Sequence, residues 1–134
     1  MLERILVISS ELINIDKVRI FLKDVYEEFP LNMRSFNQVF LGISEAVNNA
    51  VLHGNNQDPQ KNVIIKLNLN GNEMHVEIED EGDGFCESIL FDPTLPASIK
   101  CENGRGIFIM QHLADQVYFK ENGRKVYIIF TIPQ

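Results

Sequence analysis

The 134-residue chain predicts an α+β fold, a two-layer sandwich with helices packed on one face of a mixed, mostly antiparallel sheet. Three observations predict it. Apolar residues keep helical spacing over residues 17–29 and again over 32–53, which marks two amphipathic helices. Alternating apolar and polar stretches flank Asn70-Gly71-Asn72, the chemistry of a tight hairpin, and a second pair of strand-like stretches flanks Asn122-Gly123. The resulting order is strand, two helices, hairpin, long connection, helix, hairpin.

Each element has its own local signal. Leu2 to Ser9 is rich in aliphatic and β-branched residues and reads as the first strand. Asp16 is a suitable cap for the helix that follows, in which Val18, Phe21, Leu22, Val25, Tyr26 and Phe29 keep helical spacing until Pro30 ends the run. The second helix runs from near Asn32 through Phe36, Val39, Phe40 and Ile43 to His53, with Gly54 as its C-terminal stop. Asn62 to Leu69 and Met74 to Asp80 form the first hairpin. In its second strand Met74, Val76 and Ile78 share one face, while His75, Glu77 and Glu79 share the other. Residues 86–103 contain Pro93 and Pro96 and make a connection longer than most in a compact domain, of a kind that often serves as a lid. Asn103 is a suitable cap for a helix opened by Gly104-Arg105-Gly106 and running from Ile107 to Ala114. Val117 to Lys120 and Val126 to Ile132 form the last hairpin.

Composition narrows the function classes. A hydrophobic content of 45% in this length suffices for one core and not for two ordinary domains, so residues 1–134 are expected to form a single domain. A net charge of −7 without any Lys/Arg cluster argues against direct nucleic-acid binding. The first ten residues carry Glu3 and Arg4 within a short apolar run and lack the basic region and cleavage site of a signal peptide. No apolar segment is long enough to span a bilayer, so no membrane association and a cytoplasmic location are expected. Cys86 and Cys101 make no Cys-x-x-Cys pattern and are expected to be reduced thiols.

The candidate chemistry lies in three places. Glu45, Asn49 and His53 recur every four residues, which stacks a carboxylate, an amide and an imidazole on one helix face. Adjacent Asn48 and Asn49 inside a helix weaken it, because their side chains compete for backbone hydrogen bonds. A carboxylate and an amide oxygen on successive turns suit Mg²⁺, a hard cation usually shared with substrate phosphates. Taken alone, that face is also what a solvated helix would show. In Asp80-Glu81-Gly82-Asp83-Gly84, glycines after a strand end let a flat ring approach the backbone while Asp80 accepts a hydrogen bond, for which the exocyclic amine of adenine is a candidate donor. An ordinary turn has the same pattern. In Gly104-Arg105-Gly106 the glycines open a helix, where free N–H groups and the helix dipole bind anions, and Arg105 adds a fork for phosphate. Ile109 stands where a third glycine of Gly-x-Gly-x-x-Gly would be, so this is neither a Rossmann nor a P-loop site.

The order of these motifs resembles the Bergerat ATP-binding fold of gyrase, heat-shock chaperone, histidine kinase and mismatch-repair ATPases. Within it, Ser44-Glu45-Ala46-Val47-Asn48-Asn49-Ala50 and Gly104-Arg105-Gly106-Ile107-Phe108-Ile109-Met110 are most similar to the bacterial anti-sigma factor serine kinases. The resemblance implies Glu45 as general base, Asn49 as Mg²⁺ ligand, Asp80 as the adenine-reading carboxylate, and Gly82, Gly84, Gly104 and Gly106 as nucleotide-contacting turns. It implies ATP and Mg²⁺ as cofactors, and a sigma factor and a small anti-sigma antagonist as partners. A homodimer is implied too. Two positions depart from the family pattern: Glu102 stands where well-studied members carry a phosphate-contacting arginine, and Gly123-Arg124 stands where many have Gly-Thr. Arg105 is then expected to cover the phosphates. The departures leave a non-catalytic, nucleotide-gated binding module as the alternative, and a detached histidine-kinase catalytic domain as a remoter one. A complete sensor histidine kinase is not expected.

Overall fold

A computed structural model describes residues 2–82 and 104–133. The expected lid, both cysteines, Gly84 and the Asn103 cap lie outside them.

Strand β1 (Leu2–Ser9) leads through a short 3-10 turn (Leu12–Asn14) into helix α1 (Ile15–Glu28). Asn14, rather than Asp16, occupies the cap position, and its amide donates to the Ser9 carbonyl at 3.0 Å and to Ser9 Oγ at 2.8 Å. Asp16 instead lies in the first turn, where its charge meets the positive end of the helix dipole. A second 3-10 turn (Met33–Ser35), with Asn32 Oδ1 accepting from the Arg34 N–H, opens helix α2 (Phe36–Asn49). The Tyr26 hydroxyl shares a 2.7 Å hydrogen bond with Ser35 Oγ, and its ring meets Phe36 edge-on at 5.2 Å. Together these contacts fix the angle between the two helices.

The first hairpin pairs β2 (Asn62–Asn70) with β3 (Glu73–Glu79). Its two-residue loop is Gly71-Asn72, and Gly71 at φ 63° is its positive-φ residue, the pattern of a type II′ turn. Helix α3 (Gly104–Leu113) then precedes the last hairpin, β4 (Gln116–Lys120) and β5 (Lys125–Thr131). The five strands form one sheet in the order β1-β2-β3-β5-β4, with every described pairing antiparallel.

Period-two burial explains the two layers. Val63, Ile65 and Leu67 of β2, Met74, Val76 and Ile78 of β3, and Val126, Ile128 and Phe130 of β5 all point to one face and are buried there. Val18, Leu22, Val25 and Tyr26 of α1, Val39, Ile43, Ala46 and Val47 of α2, and Met110 of α3 complete the same core. Among the described residues no helix is long and apolar enough to cross a membrane.

Helix α2 lies so close to the sheet that Gly42 sits on the Phe130 ring, where an added Cβ would stand 2.9 Å from Cζ. A Gly42→Val substitution forces that ring aside and is expected to lower stability by about 1–3 kcal/mol. Urea unfolding checks it, and Phe130→Leu in the same chain recovers part of the loss; strict additivity of the two changes would show that the contact is not the cause.

Candidate nucleotide site

The central helix does not end as an α-helix. Residues Ala50–Gly54 form a π turn, in which the Asn55 N–H reaches back five residues to the Ala50 carbonyl at 2.8 Å. His53 lies within this π turn, while Glu45 and Asn49 lie on α2 proper. Gly54 is not a left-handed stop; Asn56 and Gln57 take the positive φ values of 53° and 57°. Gly54 is glycine for a different reason. A Cβ there would overlap the Asp80 carboxylate, and a Cβ on Gly82 would overlap the Gly54 carbonyl. Helix end, carboxylate and turn therefore touch with no side chain between them.

Asp80 is 3% exposed and accepts the Gly82 N–H at 2.8 Å, while its own N–H donates to the Arg124 carbonyl at 3.0 Å. Burial raises its carboxyl from 3.8 to about 6, against the lowering effects of the Gly82 N–H and the Arg124 and Lys61 charges. On α2, Glu45 is half-buried and Asn49 is buried at 5% exposure, four residues apart on one face. Desolvation raises the Glu45 pKa. Among the described residues the Asn49 Nδ2 has no hydrogen-bond partner, an unusual state for a buried amide and one that costs about 1–3 kcal/mol.

Helix α3 packs along α2, and Gln38 Nε2 near the start of α2 donates to the Leu113 carbonyl at the end of α3 at 2.6 Å. Gly104, Arg105 and Gly106 lie in the first turn of α3, at the end away from that tie. The described structure thus packs Gly54, which ends the turn after α2, against Asp80 and Gly82, with Glu45 and Asn49 on the preceding turns of the same helix. A separate cavity of about 450 Å³, lined by Asn68, His75, Glu77, Tyr118, Lys120 and Tyr127, lies on the opposite face of the sheet and takes no part in this cluster.

A family profile for the histidine kinase-like ATPase domain matches residues 8–130. The chain belongs to that family. Among its relatives within the histidine kinase-like ATPases is the anti-sigma F factor of Geobacillus sp. (strain WCH70), 31% identical over 95 residues, covering 69% of this chain and 65% of the relative. The anti-sigma F factor of Anoxybacillus flavithermus is 35% identical over 85 residues, covering 60% and 58%. The serine-protein kinase RsbW of Bacillus velezensis is 24% identical over 111 residues, covering 78% and 69%. The chain therefore spans somewhat less than two thirds of the length of those anti-sigma F relatives. In fold, 98% of the chain superimposes on 32% of a crystal structure of the RsbU and RsbW domains of Rv1364c from Mycobacterium tuberculosis, with a TM-score of 0.67 at 16% identity.

Two residues that carry the geometry are not among the sequence candidates for the site: Gly54, which the sequence marks only as a helix stop, and Asn55. The tight packing on Asp80 has no local sequence signature, since it joins segments 26 residues apart.

Because the folded-state pKa of Asp80 lies above its unfolded value, its ionisation opposes folding; the penalty is absent below pH 3.8, grows up to about 6 and is complete above that. Asp80→Asn is accordingly expected to raise the melting temperature at pH 8 and to match the wild type near pH 4. A gain of equal size at both pH values would separate the effect from ionisation.

Proposed function

We propose that the chain is an ATP-dependent serine/threonine protein kinase of the anti-sigma type, which phosphorylates a small antagonist protein and sequesters a sigma factor, working as a cytoplasmic homodimer. The observation that carries this reading is the placement of Glu45 and Asn49 on the helix whose end packs against the buried Asp80 carboxylate. The names of the anti-sigma F and RsbW relatives support it from the side of family membership.

Asp80 accepts the exocyclic amine of adenine, and Gly82 and Gly84 let the ring lie against the backbone. The N–H groups at the Gly104–Gly106 turn and the Arg105 guanidinium hold the phosphates. The residues present fit a magnesium ion. The Asn49 amide oxygen and the Glu45 carboxylate, one turn apart on α2, are oxygen donors of the kind that Mg²⁺ takes, and substrate phosphates would fill its other positions. Bound there, Mg²⁺ would neutralise phosphate charge. Glu45 takes the proton from the acceptor hydroxyl as its oxygen bonds to the γ-phosphorus and the bond to ADP breaks. The raised pKa makes Glu45 a stronger base than an exposed glutamate.

Glu102, in place of a family arginine, favours a second reading, a nucleotide-gated binding module without catalysis. One set of assays with ATP, Mg²⁺ and candidate antagonist and sigma proteins separates the two. Glu45→Gln is expected to cut transfer by about 10²–10⁴-fold with ATP affinity nearly unchanged. Wild type that binds a sigma factor and transfers no phosphate to any antagonist supports the module instead. Asn49→Ala is expected to weaken Mg-ATP far more than metal-free ATP in titration calorimetry, and equal losses would remove Asn49 from the ion.

A further inference from the structure

Asn55 is fully buried, at 0% exposure, immediately after the π turn. Its amide is used on every side. Nδ2 donates to Ser10 Oγ at 2.7 Å and to the Asn62 carbonyl at 3.0 Å, while Oδ1 accepts the Glu81 N–H at 2.7 Å. Ser10 in turn donates from both its N–H and its hydroxyl to the Lys61 carbonyl, at 3.1 and 2.8 Å. One side chain therefore joins the end of the central helix, the chain just past β1, the start of β2 and the turn after β3. The two residues on which it acts most directly bracket the contact described above: Gly54 precedes it in sequence, and Glu81 follows Asp80.

We propose that Asn55 is a positioning residue for base selectivity: by holding the Glu81 N–H it fixes the Asp80 carboxylate against Gly54 at the angle that accepts an adenine amine. The inference rests on the nucleotide reading given above. A hydrogen bond to a base edge is directional, so small rotations of the turn lose adenine while the phosphate contacts at the other end of the site persist. Asn55 itself touches no nucleotide. Its effect passes through the backbone between residues 80 and 82, which carries the Gly82 N–H to Asp80 as well.

The test is the ratio of ATP to GTP affinity at saturating Mg²⁺, measured by calorimetry alongside melting temperature. The ratio is blind to the folded fraction, so a merely structural role lowers melting temperature and leaves it unchanged. Asn55→Ala is expected to reduce the ratio about tenfold, the worth of one well-aligned hydrogen bond to a charged acceptor. Ser10→Ala, which removes one of the three Asn55 partners, is expected to reduce it about threefold and serves as the deciding variant if Asn55→Ala does not fold. Asp80→Asn is the reference. If Asp80→Asn loses the ratio and the folded Asn55 and Ser10 variants keep it, the positioning role is overturned alone; if all three keep it, the base-reading role of Asp80 falls and takes this inference with it.

Discussion

The contact on which the site depends is that between a helix end and a buried carboxylate with no side chain in between. Gly54 is bare where it meets Asp80, and Gly82 is bare where it meets the Gly54 backbone, so a substituent at either would overlap a neighbour. Burying a carboxylate is unfavourable unless it is hydrogen-bonded, and the described structure supplies Asp80 with the Gly82 N–H as its near donor. Its pKa of about 6 is the measure of that shortfall. An α-helical last turn would direct Gly54 elsewhere. The π turn over Ala50–Gly54 is the local irregularity that makes the contact, and such turns concentrate where a helix must serve a site.

The satisfaction of buried polar groups divides the neighbourhood in two. Ser10, Asn14 and Asn55 are buried and hydrogen-bonded, each tying one segment to another. Asn49 and Asp80 are buried as well, yet among the described residues Asn49 Nδ2 has no partner, and Asp80 is held with a raised pKa. A fold that satisfies the first set so fully has no structural need for the second. Buried polar groups left short of partners mark places where another molecule completes the bonding. On the proposed reading the satisfied residues form the frame, and Asn49 and Asp80 face the ligand that it holds.

The frame was legible because it follows from short-range periodicity. Leu2–Ser9 as a strand, the alternation of Val63, Ile65 and Leu67 against Met74, Val76 and Ile78, and the stripe Val18, Leu22, Val25 and Tyr26 are each set by neighbours within a few residues. The α+β class follows from them. The misread details were those that tertiary contact decides. Gly54 does close the helical stretch, as its sequence suggests, but what demands a glycine there is its packing on Asp80, and the π turn that precedes it is visible only once that partner is in place. Asn55 carries no local pattern at all, since its three bonds go to Ser10, Asn62 and Glu81. The helix cap moved from Asp16 to Asn14 for a similar reason: the bonds of Asn14 to Ser9 connect it to the preceding strand.

Charge sets the remaining condition on the site. The chain carries a net −7, and the end of β3 alone contributes Glu79, Asp80 and Glu81 in succession. A nucleotide triphosphate adds several more negative charges to that surroundings, so its binding needs concentrated positive potential near the phosphates. Lys125 does not supply it, since it faces Glu77, Glu79 and Glu121 at 3.8–4.0 Å, and Arg124 is paired with Glu121 at 2.8 Å. Of the groups assigned to the proposed site, the helix N-terminus at Gly104, the guanidinium of Arg105 and a metal held through Asn49 remain to provide it. On the proposed reading, adenine recognition and phosphate recognition are thus separated in electrostatic character: a buried acid selects the base at one end, and backbone dipole, arginine and ion receive the phosphates at the other. The central helix is the element common to both, touching Asp80 through its last glycine and carrying Glu45 and Asn49 on the turns before it.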